Sequence, residues 1–196
     1  MRTALRSIGL ASLLIIGISA TCGRPSFAKE SLGHPSPGWW DQLRAPDGHA
    51  LARQALENRV VICEFWTFEC INCRRTVPAM RALDRRYRGD ARVALLGIHT
   101  PELPDERDPA QVGRAVKQLG LEFPIAFDPD YAIWRAFGNE YWPALYVLDA
   151  HGVIRYRHLG ELHQGTPEWT AFVNAVDALR RELPAKAQPN PTRPSS

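Results

Sequence analysis

The sequence predicts an α/β domain in which helices flank a central mixed sheet. Two apolar runs, residues 60–66 and 91–98, have the length and β-branched character of buried strands. Apolar residues at helical spacing lie between them, so the three elements predict a βαβ unit with parallel strands and a right-handed crossover. Residues 141–149 and 153–159 then flank a tight turn and predict an antiparallel hairpin. An amphipathic helix over residues 167–183 completes the order.

The chain has 196 residues, enough for one such domain with extensions. Arg2 and Arg6 precede an apolar stretch, and Ser26 and Ala28 supply the small residues of a cleavage site. Residues 1–28 are therefore expected to be a secretory signal peptide, which would place the mature chain in the periplasm or outside the cell. An uncleaved membrane anchor is the alternative, although the apolar stretch is shorter than the roughly 20 residues of a spanning helix.

Composition predicts where the leader, the domain and the tail of the remaining chain begin and end. Residues 29–47 are rich in Gly, Pro and Ser and predict a flexible leader that docks a pair of tryptophans, Trp39 and Trp40, on the domain. Residues 48–183 form the predicted domain. Residues 184–196 contain four prolines and predict a disordered tail.

The charge of the chain argues against a nucleic-acid partner. Residues 1–28 contain three arginines and no acidic residue, so their removal lowers the formal net charge from +3 to zero. Without a basic surplus, the mature chain has no electrostatic attraction to nucleic acid as a whole.

Cys70 and Cys73 lie where the first strand turns into the first helix, with two residues between them. Unpaired N–H groups and the helix dipole favour a negative charge at a helix N-terminus, so Cys70 is the predicted nucleophilic thiolate. Cys73, one turn along, is the predicted resolving thiol, and the pair is expected to form a redox disulfide. A zinc half-site is the alternative, but zinc would need two further ligands, and neither a second CxxC nor a His pair at metal spacing is present.

Several separated motifs make the chain resemble a known family. They are Phe65-Trp-Thr-Phe-Glu-Cys-Ile-Asn-Cys73, Gly97-Ile-His-Thr-Pro-Glu102, Asp128-Pro-Asp-Tyr-Ala-Ile-Trp134 and Tyr141-Trp-Pro-Ala144. Together they resemble the extracytoplasmic TlpA/ResA-like branch of the thioredoxin-like proteins, and more closely still the thioredoxin-like domain of DipZ-type thiol:disulfide interchange proteins. The resemblance covers roughly residues 60–161 and implies a thioredoxin-like fold with an inserted helical segment, residues 120–140, before the strand of a cis-proline.

The resemblance also implies substrate-binding and catalytic residues. Pro143 takes the place of the cis-proline that faces the CxxC, and Trp142 would offer backbone groups to an incoming substrate strand. Thioredoxins carry a small residue at that place, so Trp142 is expected to shape or restrict the groove. An ordinary proline at the start of a strand is the alternative. Glu64 takes the place of a buried acid behind the active site, where its pKa should be raised so that it can accept the proton of Cys73, unless it points to solvent.

Three neighbouring residues carry weaker expectations. Glu69 directly precedes Cys70 and would oppose a thiolate unless it points to water. His99 follows the second strand and is either a groove residue or a structural one. Cys63 lies inside the first strand and is expected to be an inert core residue.

The resemblance implies an extracytoplasmic thiol-disulfide oxidoreductase that reduces protein disulfides by CxxC exchange, for example in cytochrome c maturation or the protection of periplasmic thiols. No GxGxxG motif indicates a flavin or nicotinamide, so no cofactor is expected. The resemblance implies a membrane electron donor of the DsbD/CcdA kind as partner.

Two other functions are weighed against this one. A thiol peroxidase needs a Pro-x-x-x-Thr/Ser-x-x-Cys pattern, and Thr67 fits the hydroxyl position but Cys63 occupies that of the proline. A copper-binding assembly chaperone of the Sco kind uses CxxxC with a distal His, whereas the spacing here is two residues.

Overall fold

The computed structural model describes residues 32–184, and a five-stranded mixed sheet forms their centre. The strands are β1 (Val60–Trp66), β2 (Val93–His99), β3 (Ile125–Phe127), β4 (Ala144–Leu148) and β5 (Ile154–Leu159). Their spatial order is β3-β2-β1-β4-β5, with β1, β2 and β3 parallel and β4 and β5 each antiparallel to its neighbour. The predicted α/β fold is therefore confirmed, including the βαβ unit and the hairpin.

Four helices flank the sheet: α1 (Ile71–Tyr87), α2 (Pro109–Leu119), α3 (Ala132–Ala136) and α4 (Pro167–Glu182). Among residues 32–184 none of the helices is both long enough and apolar enough to cross a bilayer. The predicted signal peptide, residues 1–28, and nearly all of the predicted tail lie outside the described residues.

Strand β1 is buried on both faces over its whole length, and each face packs into a separate core. Ile62 and Trp66 belong to the core that includes residues of α1 and α4. Cys63 and Phe65 belong to the core on the opposite face, beside α3. Because side chains alternate along a strand, Cys63 faces away from the side on which α1 lies. Burial also raises the pKa of its thiol, so Cys63 is a packed core residue.

The packing begins further toward the N-terminus than the boundary at residue 48 that composition predicted. Trp39 is 3% exposed, it stacks on Trp40 with 3.8 Å between ring centroids, and Leu43 is fully buried in the second core. The backbone of Leu32 also donates to the carbonyl of Ile154 on β5. Gly and Pro predicted a flexible leader, but each large apolar side chain buried here stabilises docking by about 2 kcal/mol.

The insertion predicted as helical, residues 120–140, contains a strand as well as α3. Strand β3 pairs in parallel with β2 and is the outermost strand on that side of the sheet. Its three residues are too few to show a period, so no sequence pattern predicts a strand there. Gly120, at the start of this segment, ends α2 in the left-handed conformation with φ of 62°.

Gly97, on β2, lies where three elements approach most closely. It pairs with Glu64 on one side and Ile125 on the other. A Cβ at Gly97 would lie 2.6 Å from Cδ1 of Ile125 and 3.1 Å from Nε1 of Trp66. Only a glycine therefore lets β1, β2 and β3 pack at this point without a shift.

Candidate active site

The two cysteines lie at the edge of the sheet where β1 and β2 end and β4 begins, which we call the cysteine edge. Strand β1 ends at Trp66, and Cys70 is the N-cap residue of α1. Cys70 is partly exposed, whereas Cys73 is 1% exposed within the first turn of the helix. Both thiols are free, and a hydrogen bond joins them. The structure therefore brings together an accessible thiol at a helix N-terminus and a buried thiol beside it.

Some of the groups around Cys73 raise the pKa of its thiol, and one lowers it. Burial raises its pKa most, and the nearby charge of Glu64 raises it further. The backbone N–H of Thr67 acts the other way and lowers the pKa of Cys73, because an N–H donor near the sulfur favours the thiolate. The net effect is a raised pKa, so Cys73 is a thiol at neutral pH and must lose its proton before it can attack.

Glu64 is 3% exposed and lies on the face of β1 that packs against α1. It shares this face with Ile62 and Trp66, since side chains alternate along the strand. Burial raises the pKa of its carboxyl to about 8. The sequence predicted both the burial and the direction of this shift, whereas the alternative, a carboxylate in solvent, is wrong. A carboxyl with this pKa can exchange a proton near neutral pH.

Pro143 and Trp142 lie at the same edge. The Trp142–Pro143 bond is cis, and Ala144 pairs with Phe65, so that Pro143 lies opposite the end of β1. The indole Nε1 of Trp142 donates to the carbonyl of Thr100 at 3.0 Å, and its ring packs against Trp134 with centroids 4.1 Å apart. Trp142 is thus fixed in place as a half-buried wall next to the proline.

Sequence reasoning missed one residue of this edge, Glu106, which is fully buried in a short 3-10 helix after β2. Its Oε1 accepts the hydroxyl proton of Thr67 and the N–H of Glu69 at 3.0 Å. Its Oε2 accepts the N–H groups of Glu102 at 2.6 Å and Leu103 at 2.8 Å. One carboxylate therefore joins the loop before Cys70 to the loop after β2.

The charge state of Glu106 follows from these bonds. Burial alone would raise its pKa, but the bond from Thr67 and those from three backbone N–H groups together outweigh burial and lower it. Glu106 is therefore a buried carboxylate that is ionised at neutral pH, in contrast to Glu64. Its signal in the sequence was weak: an acid in a polar, proline-rich loop at the carboxyl end of a strand.

His99 is a structural residue of this edge and does not line the groove. It is fully buried, and its ring stacks on Phe68 with centroids 5.4 Å apart. Burial lowers its pKa to about 4, so the imidazole is neutral at neutral pH. Its Nε2 lies 3.3 Å from the hydroxyl of Thr67. Since that hydroxyl gives its proton to Glu106, Nε2 must carry the hydrogen and donate it to the oxygen of Thr67.

The charged residues next to the cysteines point outward. The side chain of Glu69 is exposed, so water screens its charge from Cys70. Arg74 is exposed, and Arg75 forms an exposed ion pair with Glu161 at 3.1 Å. Among residues 32–184 no group of three or more His, Cys, Asp or Glu side chains is arranged to hold a metal ion.

The rim of the cysteine edge is apolar. The described residues include five exposed large apolar side chains, and four of them belong to segments at the cysteine edge: Ile71, Leu103, Tyr141 and Leu159. Ile71 lies between the two cysteines and is 57% exposed, and Tyr141 precedes Trp142 and is 54% exposed. Such a concentration of exposed apolar residues is typical of a surface that binds another molecule.

The fold and the cysteine pair define a thioredoxin-like protein. Residues 41–157 match the AhpC/TSA family, and because this match spans more than half of the chain, the chain belongs to that family. Protein DipZ of Mycobacterium bovis is 35% identical over 152 residues, which are 78% of this chain and 20% of DipZ. The chain thus spans about a fifth of the length of its DipZ relatives.

This chain covers a larger share of two further relatives. Thiol-disulfide oxidoreductase YkuV of Bacillus subtilis is 27% identical over 129 residues, which are 66% of this chain and 86% of YkuV. A thiol-disulfide isomerase of Corynebacterium glutamicum has the same fold, with a TM-score of 0.59 and 21% identity over 70% of this chain and 92% of its own. The relatives thus include thiol-disulfide oxidoreductases with the thioredoxin-like fold.

Proposed function

We propose that this protein is an extracytoplasmic thiol-disulfide oxidoreductase that reduces protein disulfides. One observation carries the proposal. A partly exposed Cys70 at the N-terminus of α1 lies beside a buried Cys73, whose surroundings include a carboxyl, Glu64, with a pKa of about 8. This arrangement supplies a nucleophile, a resolving thiol and a proton acceptor in one place.

The reaction begins at the accessible sulfur. The Cys70 thiolate attacks one sulfur of the substrate disulfide, a bond forms between Cys70 and that sulfur, and the other substrate sulfur leaves as a thiolate that takes a proton from solvent. Unpaired N–H groups at the start of α1 and the dipole of that helix stabilise the attacking thiolate.

The second step releases the substrate. Cys73 gives its proton to Glu64, and its thiolate attacks the sulfur of Cys70. The Cys70–Cys73 disulfide forms, the bond between Cys70 and the substrate breaks, and the second substrate sulfur leaves as a thiolate that is protonated in turn. The protein has then lost two electrons, and the substrate disulfide has become two thiols.

The apolar rim and the cis-proline suit a substrate of polypeptide character. Ile71, Tyr141 and Leu159 would contact apolar side chains on either side of the substrate disulfide. The backbone of Trp142 would pair with an extended segment of the substrate at the start of β4. Its indole, held by Thr100, would restrict which side chains fit there.

The source of electrons completes the proposal. A reductase must be recharged after each turnover, and the features of residues 1–28 support a location outside the cytoplasm. A membrane donor of the DsbD/CcdA kind would then reduce the Cys70–Cys73 disulfide by the same exchange, run in the opposite direction.

Trapping experiments test this function. Purified protein with Cys73→Ser should form a stable mixed disulfide with a disulfide-bonded protein substrate, because nothing remains to resolve it. Cys70→Ser should form none, and the unaltered chain should reduce the substrate catalytically when a dithiol recharges it. Mass spectrometry of the trapped species would identify the bonded cysteine, and failure of Cys73→Ser to trap any disulfide would contradict the proposal.

The peroxidase alternative gives a different outcome in a parallel assay. Thr67 has the spacing of a peroxidase hydroxyl, but its proton is held by Glu106 and is turned away from the sulfur of Cys70. We therefore expect hydroperoxide reduction to be slow relative to disulfide reduction. Faster consumption of hydroperoxide than of disulfide would favour the peroxidase.

A further inference from the structure

We infer that Glu106 is a positioning residue for the second step: it holds Thr67 so that the Thr67 backbone N–H stabilises the Cys73 thiolate as that thiolate forms. The inference rests on the proposed function, because it assigns a residue to the resolving step of that reaction. It starts from the four hydrogen bonds of Glu106, and the effect of the Thr67 backbone N–H on the Cys73 thiol supports it.

The first step of the argument is the attachment of Thr67. Its hydroxyl donates to Glu106, and its oxygen lies 3.3 Å from Nε2 of His99, so the side chain is held from two sides. Thr67 is fully buried, and no solvent competes for these bonds. A backbone N–H on a residue held in this way has a fixed direction, and the N–H of Thr67 lowers the pKa of the neighbouring Cys73 thiol.

The second step concerns the charge that develops at Cys73. A buried thiolate is costly, and Glu64 next to it would oppose that charge if it were itself ionised. When Cys73 gives its proton to Glu64, Glu64 becomes neutral and Cys73 carries the charge. A preoriented N–H donor at that sulfur stabilises the charge only at this moment, as donors do in an oxyanion hole.

The two carboxylates thus have separate tasks. Glu64 has no resolved ionic partner and a pKa of about 8, so it can accept a proton. Glu106 accepts four hydrogen bonds and stays ionised, so it cannot accept a proton from Cys73 near neutral pH, but it can hold a loop. Because Oε1 also binds the N–H of Glu69, the same carboxylate fixes both ends of the loop between β1 and Cys70.

Stopped-flow kinetics with an aromatic disulfide reagent separates the two steps. Attack by Cys70 releases the first coloured thiolate, and attack by Cys73 on the resulting mixed disulfide releases the second. We expect Glu106→Ala to slow the second release about tenfold, which corresponds to the loss of a hydrogen bond to a charged group, and to change the first release less than about twofold. Thr67→Val should slow the second release similarly, and Thr67→Ser should restore it.

Asp149→Ala provides a matched control. Asp149 is a buried carboxylate that accepts backbone N–H groups of His151 and Val153, but it lies in the hairpin turn at the opposite end of β4. This variant should lose comparable stability and leave both releases unchanged. Each variant is compared by near-ultraviolet circular dichroism and thermal unfolding, so that unfolding is not mistaken for slow resolution.

The outcomes are distinct. Equal slowing of both releases in Glu106→Ala, or a second release within twofold of the unaltered chain in both Glu106→Ala and Thr67→Val, overturns the role of Glu106. If Glu106→Ala does not fold, the rates of the second release in Thr67→Val and Thr67→Ser are compared instead. Equal rates in these two variants overturn the role of the Thr67 hydroxyl. If the unaltered chain shows no second release that depends on Cys73, the proposed function itself fails, and this failure is visible before any Glu106 variant is made.

Discussion

The two ends of the sheet carry charged and polar groups in different ways. Many of these groups at the cysteine edge are buried, among them Glu64, Thr67, His99, Thr100, Glu106 and Asp128. At the far edge, where β1 and β2 begin and β4 ends, exposed or half-exposed ion pairs predominate, among them Arg88–Asp84, Arg88–Glu122 and Arg86–Asp177.

The buried groups at the cysteine edge surround the reactive thiols, whereas the ion pairs at the far edge lie on the surface. Exposed ion pairs lie in water and salt, which screen them, so they contribute little to stability. Buried carboxyls respond strongly to their surroundings, and those at the cysteine edge are shifted in both directions, upward for Glu64 and downward for Glu106. Perturbed groups of this kind cluster where a protein acts on a substrate.

The largest expected effect is kinetic and concerns Glu64. Glu64→Gln removes the proton acceptor, so the second thiolate release should slow about a hundredfold at a pH above the Glu64 pKa of about 8. In the unaltered chain the rate of this release should rise with pH through about 8, and the variant should lose this inflection. Stopped-flow pH profiles measure both. An unchanged inflection in Glu64→Gln would assign the proton transfer to another group.

The next largest effect is on the free energy of unfolding, and it also arises from the raised pKa of Glu64. The pKa of Glu64 is 4.5 in its unperturbed state and about 8 in the folded protein, so the folded state binds more protons between these values. The contribution of Glu64 to stability is therefore fully present below pH 4.5 and falls as pH rises toward 8, by roughly 5 kcal/mol. Urea unfolding at a series of pH values should show this slope in the unaltered reduced protein, and Glu64→Gln should reduce it.

A smaller effect is expected from packing at Gly97. Gly97→Ala places a Cβ against Ile125 and Trp66 and should destabilise the protein by about 1–3 kcal/mol. The matched control is Gly113→Ala in α2, where a Cβ meets no atom within 4 Å and the change should stabilise by about 0.5–1 kcal/mol. Chemical denaturation measures both. Destabilisation by both variants alike would contradict the packing explanation.

The smallest effect is expected at the far edge. Arg88 binds Asp84 and Glu122, but its side chain is 54% exposed. Arg88→Ala should leave the denaturation midpoint and both thiolate releases indistinguishable from those of the unaltered chain. A clear loss of stability in this variant would show that the surface ion pairs matter more than their exposure indicates.

Much of the cysteine edge could be predicted because its signals are local in sequence. The apolar run of β1, the CxxC and the cis-proline motif each occupy a few consecutive residues. Burial of Glu64 followed from its place in a strand with apolar neighbours on both faces, where no orientation reaches water. The position of Cys70 at the start of α1 followed from the change of period from strand to helix.

The residues that sequence reasoning missed depend on contacts between distant parts of the chain. Glu106 lies 39 residues after Thr67, and nothing in its polar loop indicates that the carboxylate turns inward. The burial of Leu43 depends on the second core, which exists only once α3 and the sheet are assembled. Strand β3 depends on the neighbouring edge of β2, because three residues alone carry no pattern.

The redox equilibrium of the Cys70–Cys73 pair tests the central claim most directly. The purified chain would be equilibrated with dithiothreitol and glutathione buffers, and the thiols counted at each potential. The proposed reductase role predicts a potential nearer the roughly −270 mV of thioredoxin than the roughly −120 mV of DsbA. A single two-electron transition in that range is the predicted result. A potential near that of DsbA, or no two-electron transition, would contradict it.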